Sequence, residues 1–463
     1  MSDTSPNSFT TGPLGRIYLK TALPIIFVMG MNGLLAVADA LFLGHYVGPQ
    51  ALAAVTLMFP LYMLIVALAT LVSSGMSSQL ARHIGGQRLA EARAVFAGAH
   101  GLALLVSAIL IVLFLLLGRQ VAHLAAGGFA DLADMGLVYL GITVFFTPLM
   151  FILSVNSDTL RNEGRVGLMA ALSLLVSLAN IAFNYVLIAL LDMGVAGSAY
   201  GTALAQMLAL LIIIGFRLRG QTEFRPSALI LNKLTSHWSR ILALGAPQSL
   251  SFVGLALGSA SIVAALQLVN TTDYDATVSA YGIVTRVMTF AFLPLLGLSH
   301  AMQTITGNNY GSEQWARSDH SLKIAVVAAF VYCACIQISM TVFAPRIGAS
   351  FVDDTTVIAE VSRILPVILT MFFAAGPLMM IGSYFQAIGD AGRAAILGLS
   401  KPYFFAMPLT FTFATSIGEH GIWIASPVSE ALLCVLTAAV LFQTARKTSL
   451  KWGLFRQPKE VTP

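Results

Sequence analysis

The sequence predicts an all-α integral membrane protein of twelve transmembrane helices, arranged as two six-helix lobes related by a parallel pseudo-two-fold repeat around a central cleft. Three observations carry that reading: the scarcity of charge, the recurrence of apolar runs of membrane length, and a constant spacing between matching motifs in the two halves. Of 463 residues, 57% are hydrophobic and only 10% are charged, whereas soluble globular domains carry roughly 25% charged residues. Such a chain has too little polar surface to cover itself in water, as its mean hydropathy of +0.85 also says. Its solvent is a bilayer.

Apolar stretches long enough to cross about 30 Å of hydrocarbon at 1.5 Å per helical residue fall at about 17–43, 52–79, 94–117, 135–157, 167–190, 195–216, 239–266, 276–302, 320–345, 360–386, 393–415 and 421–444. The opening "MSDTSPNSFTTGPLGR" is polar and lacks the basic-then-apolar pattern of a removable signal, so the first helix is expected to direct insertion itself. With both termini placed in the cytoplasm, the basic residues of alternate connections, among them Arg82, Arg88, Arg93, Arg161, Arg165, Arg217, Arg219, Arg225, Lys233 and Lys447, fall inside. Only Arg119, Arg346 and Arg363 fall outside, where Asp131, Asp134, Asp192, Asp353, Asp354 and Glu419 collect. A helix count wrong by one would scramble this alternation. It also accounts for the net charge of +5 without a nucleic-acid partner. The expected location is a bacterial cytoplasmic (inner) membrane, with lipid as the surroundings and the monomer as the working form. Cys333, Cys335 and Cys434 lie inside apolar helices and read as small buried residues, not as a disulfide framework or zinc site.

The most polar cytoplasmic segment, 216–240, lies near the midpoint and divides the chain into an N-terminal lobe (1–216), a linker (217–238), a C-terminal lobe (239–445) and a tail (446–463). Matching anchors stand at nearly constant distance across it: Pro24 over Pro247, Gly85 over Gly311, Gly164 over Gly389 and Gly197 over Gly421. Six helices precede the second copy, so both copies enter the membrane in the same direction. Parallel repeats of this kind leave a cleft between lobes, and rocking opens it to one side at a time. Gly197, Gly201 and Ala205, four apart on the sixth helix, read as a packing stripe where backbones approach closely.

Within the first helix, "LLAVADALFLG" holds Asp39. A carboxylate at membrane depth costs several kcal/mol unless it meets a cation, a proton or water, so Asp39 is the leading functional candidate. On the fifth helix Asn180 and Asn184 stand four apart on one face. Their amides suit either a hard cation such as Na+ or a protonated acid, and Thr202 on the sixth helix adds a hydroxyl. No acid occupies the equivalent of Asp39 in the second half, where position 262 is isoleucine. That half instead carries Arg286, Lys401 and Glu430 as candidate buried charge partners, with Glu430 the best carboxylate for the two cations. No histidine is expected inside the membrane. A flexible wall of Met31, Phe59, Met63, Phe290 and Met302 is a further expectation for an amphipathic ligand.

"VADALFLGHYVGPQALAAVTLMFPL", "SGMSSQLARHIGGQRLAEAR", "DTLRNEGRVG" and "QTITGNNYGSEQWAR" together resemble the multidrug and toxic compound extrusion (MATE) transporters over nearly the whole chain. The resemblance implies a V-shaped alternating-access cycle and export of organic cations or amphipathic drugs against inward H+ or Na+, with no other cofactor. It is closer to the DinF-like pattern, in which Asp39, Asn180 and Thr202 match the first-lobe cation site; Asn184 stands where that pattern has an aspartate. The NorM-like acids of the seventh and tenth helices have no counterpart, so Asp39 is left as the principal coupling acid. With Asn184 beside it, Na+ at Asp39, Asn180, Asn184 and Thr202, or a single H+, would neutralise the site. A lipid-linked precursor flippase of similar build is the rival reading and would need a basic cluster in the cleft. No nucleophile–base pair or metal motif points to an enzyme.

Overall fold

The computed structural model describes residues 7–127, 129–220, 222–269, 273–448 and 450–456. Among these, nine helices are each long and apolar enough to cross a membrane. They are Leu14–Phe42 with the π turn Leu43–Val47, then Pro49–Gly85, Leu89–Ala125, Val166–Asn184 with the π turn Tyr185–Leu190, Gly194–Leu218, Trp238–Leu268, Tyr274–Gly311, Trp315–Val342 and Glu419–Lys447. Two further passes are bent pairs, Ala130–Phe145 with Thr147–Asn162 and Thr355–Leu369 with Phe372–Ile388. Ala391–Leu399, the π turn Ser400–Ala406 and Met407–Ile417 complete the set at twelve, numbered below in chain order. Several run past the apolar stretches that announce them: the second pass, Pro49–Gly85, has 37 residues, about 55 Å of helix. The backbone continues to satisfy itself after hydrocarbon gives way to headgroups and water.

The repeat is visible in the backbone. The fourth and tenth passes bend by 49° and 45°, at Phe146 and at Met371, 225 residues apart. Left-handed residues recur at nearly the same interval: Gln87 and Glu313 at φ 56° and 60°, Gly164 and Gly389 at φ 79° and 91°. Each ends a helix with a turn in the same position of its half.

The contacts group the chain into two units, one of Leu23–Phe252 and the other of the residues up to Ala22 and from Val253 onward. Both divisions fall within a few residues of matched prolines, Pro24 and Pro247, inside the first and seventh passes. Much of the inter-repeat linker packs on the first unit: Phe224 joins the buried cluster of Val72, Met76, Phe96 and Phe151, and Trp238 Nε1 donates to Gly98 O at 2.8 Å. The second and seventh passes touch backbone to backbone, since a Cβ on Gly75 would overlap Ile241 O and one on Gly245 would overlap Leu71 O. In the second unit Asn7 Nδ2 donates to Asn308 Oδ1 at 2.8 Å, and Tyr384 donates to Leu454 O at 3.2 Å. Residues 457–463 of the expected tail lie outside the described residues.

Three expectations need correction. His100 is buried in the third pass, where its ring bonds Phe96 O at 2.9 Å and Asn156 Nδ2 at 3.0 Å. With the amide donating, the imidazole is neutral, so it can sit in an apolar helix without charge. Asn156 also accepts from buried Arg217 Nε at 2.9 Å, and Arg217 pairs with Glu163 at 3.5 Å. Burial raises the Glu163 carboxyl above its ordinary range, with Arg217 pulling the other way. Cys335 is exposed, unlike buried Cys333. Met302 is fully buried and cannot form part of a ligand wall.

A polar clamp between the second and fourth passes shows what the repeat conserves and what it changes. Ser77 Oγ accepts from Arg161 at 3.0 Å and from Asn162 Nδ2 at 2.8 Å; Arg161 pairs with Asp158 at 3.0 Å, and Asp158 bonds Ser73. At the matching positions of the second half, Ser299 bonds Ser383 at 2.8 Å and Gln303 Nε2 donates to Gln386 Oε1 at 3.1 Å. The same crossing is held by charge in one half and by neutral groups in the other. Arg161→Ala alone is expected to cost about 3–5 kcal/mol, because it strands Asp158. The double change Asp158→Ser and Arg161→Gln imports the neutral version and is expected to lose far less. Thermal unfolding in detergent checks the order; equal losses would refute it.

Candidate functional site

Asp39 lies three residues before the end of the helix Leu14–Phe42, immediately ahead of the π turn Leu43–Val47. In the fifth pass Asn184 is the last α-helical residue before the π turn Tyr185–Leu190. The two π turns touch, and turns of this kind, rare in helices, are frequent at functional sites. Asn180 and Asn184 are both fully buried, while Asp39 is partly exposed.

Asn184 Nδ2 donates to Asp39 Oδ1 at 2.6 Å and to Asn180 Oδ1 at 3.0 Å, and Asn180 Nδ2 donates to Thr202 Oγ1 at 2.8 Å. With its amide turned over, Asn180 instead donates to Asp39 Oδ1 at 2.9 Å and accepts from Thr202 Oγ1 at 2.8 Å. In either orientation the carboxylate, two amides and a hydroxyl form one connected chain across the first, fifth and sixth passes. The four first-lobe candidates are therefore brought together within one unit.

Gly201 turns out to belong to this cluster as well as to the packing stripe. A Cβ there would run into Asn184 Oδ1, so the missing side chain is what lets the fifth and sixth passes close on the amide. That carbonyl oxygen is buried and has no hydrogen-bond partner among the described residues. Sequence reading also missed Tyr62 of the second pass and Tyr139 of the fourth, whose phenols lie within electrostatic reach of Asp39. The available signal was a single tyrosine in each of two otherwise apolar stretches, "LYML" and "LVYLG".

In the second unit Lys401 Nζ pairs with Glu430 Oε2. Lys401 lies on the π turn Ser400–Ala406, and Glu430 is buried in the twelfth pass. Arg286 does not join them. It is exposed in the eighth pass and makes no ion pair among the described residues.

A chain of twelve membrane passes, with a repeated half and an acid–amide cluster within one of them, is built as a multi-pass membrane transporter. The MatE family model matches it twice, over residues 24–186 and 261–412, and the chain belongs to that family. Relatives include the FAD transporter of Shewanella oneidensis, 24% identical over 91% of this chain and 93% of the relative. The multidrug export protein MepA of Staphylococcus aureus is 21% identical over 96% and 97%. Among solved structures, a crystal structure of MATE in the straight conformation has a TM-score of 0.85 at 21% identity, covering 96% of this chain and all of that one. An outward-facing MATE family transporter of the MOP superfamily has a TM-score of 0.82 at 22% identity, covering 94% and 97%. These structures share the fold.

Proposed function

We propose that the protein is a secondary antiporter that exports amphipathic compounds across a bacterial inner membrane, driven by one inward-moving H+ or Na+ bound at Asp39. The observation that carries the reading is the direct bond from Asn184 to Asp39, which places a lone carboxylate among neutral donors. Among the described residues no cationic side chain pairs with it. One monovalent ion cancels its charge. A site with a second carboxylate at 184 would need two.

A proton is the simpler coupling ion, since one carboxylate suffices to carry it; Asn184 donates its N–H to the acid and so supports the charged form until the proton arrives. On protonation, the new O–H finds an acceptor in the Asn180 amide oxygen, in the orientation that turns that oxygen toward the acid. Coupling follows because the neutral and the charged acid prefer different arrangements of the surrounding helices, and cargo favours one of them; without such differential affinity no gradient could drive export. Relatives named for multidrug export and for FAD transport support an amphipathic cargo.

The test is export from proteoliposomes under a proton gradient or a sodium gradient, imposed separately. Export under the proton gradient alone supports this assignment, and export under neither overturns it. Asn184→Asp supplies the second carboxylate of the resembling pattern. It is expected to make export respond to sodium, and an unchanged ion response would count against a shared site.

A further inference from the structure

Arg286 lies near the middle of an apolar run expected at about 276–302, roughly half-way through a bilayer. The two buried arginines both have carboxylates, Arg161 with Asp158 at 3.0 Å and Arg217 with Glu163 at 3.5 Å, and intramembrane Lys401 has Glu430. Arg286 has none among the described residues and is exposed.

A guanidinium at mid-depth cannot face lipid tails without a cost of several kcal/mol, so exposed charge there lines a water-accessible surface. The composition of its helix face agrees. Ser279, Gly282, Arg286, Thr289 and Phe290 share one stripe at helical spacing, and Ser279, Arg286, Thr289 and Phe290 are all exposed. A stripe against lipid would be filled by leucine, isoleucine and valine. Here a cation stands between hydroxyls, one turn from an aromatic ring that is 48% exposed.

We infer that Arg286 recognises an oxyanion, a phosphate or carboxylate, on an amphipathic substrate whose flat apolar part packs against Phe290. The planar five-donor fork of arginine binds an oxyanion bidentately, and low dielectric strengthens the pair. The inference rests on the export reading above and narrows its cargo from amphipathic compounds in general to those bearing an anionic group.

Two ligands that differ only by the anion decide it: flavin mononucleotide and riboflavin, the same ring with and without phosphate. Equilibrium binding is measured by fluorescence on the full-length protein in nanodiscs, with no gradient. The native protein is expected to prefer flavin mononucleotide by about tenfold or more, the worth of a charged hydrogen-bonded contact. Arg286→Gln is expected to lose that preference, and Arg286→Lys to keep part of it. Equal binding of the two flavins to native protein overturns the inference even if no variant folds, as does an undiminished preference in Arg286→Gln. Because no ion gradient enters the measurement, a failed export assay would sink the coupling site and leave this result standing.

Discussion

Asp39→Asn is expected to reduce gradient-driven export to the rate of protein-free vesicles while leaving insertion and folding intact. The substitution keeps the shape of the side chain and removes only its ability to take and release an ion. Asn184 Nδ2, now 2.6 Å from Asp39 Oδ1, can still donate to the amide oxygen, so the local hydrogen bonds survive. The cost of holding a charge at membrane depth disappears, so thermal stability should hold or rise. Export assayed in proteoliposomes beside an unfolding curve separates the two effects. A variant that unfolds like the native protein and still exports under a proton gradient would remove Asp39 from the mechanism.

Gly201→Ala should be nearly as damaging by a different route. The added methyl overlaps Asn184 Oδ1, so either the amide leaves Asp39 or the fifth and sixth passes part. Overpacking of this kind costs about 1–3 kcal/mol, and displacing the amide removes the donor that holds the carboxylate. Export is expected to fall together with the unfolding temperature. In an Asn184→Ala background the obstacle is gone, and the same Gly201→Ala change is expected to cost little. That non-additivity, read from the four unfolding temperatures, is the signature of direct contact. Additive losses would mean that Gly201 acts through helix spacing alone.

Much of the molecule was legible in one dimension because a bilayer imposes severe constraints. Backbone polar groups must be satisfied within each segment, so apolar length alone announces a helix. The turns that repeat, Gly164 with Gly389 and Gln87 with Glu313, are tied to an interval that motif spacing already displayed. Asp39 stood out because an acid in an apolar run is expensive enough to demand a reason. The tyrosines did not, since Tyr62 and Tyr139 are ordinary in membrane helices until a structure brings them within electrostatic reach of a carboxylate.

The sequence by itself determined twelve passes and the doubling of a six-helix unit, from periodicity and spacing, and singled out Asp39 by the cost of burying charge, with the amides and the hydroxyl as candidates beside it. Only the tertiary structure decided which groups meet. Lys401 reaches Glu430 while Arg286 stays exposed, His100 enters the helix interior as a neutral ring bonded to Asn156, and Gly201 closes on Asn184. The physical reason is one of range: insertion energies act residue by residue along the chain, whereas hydrogen bonds and ion pairs form only within about 3–4 Å, at distances set by how separate helices pack.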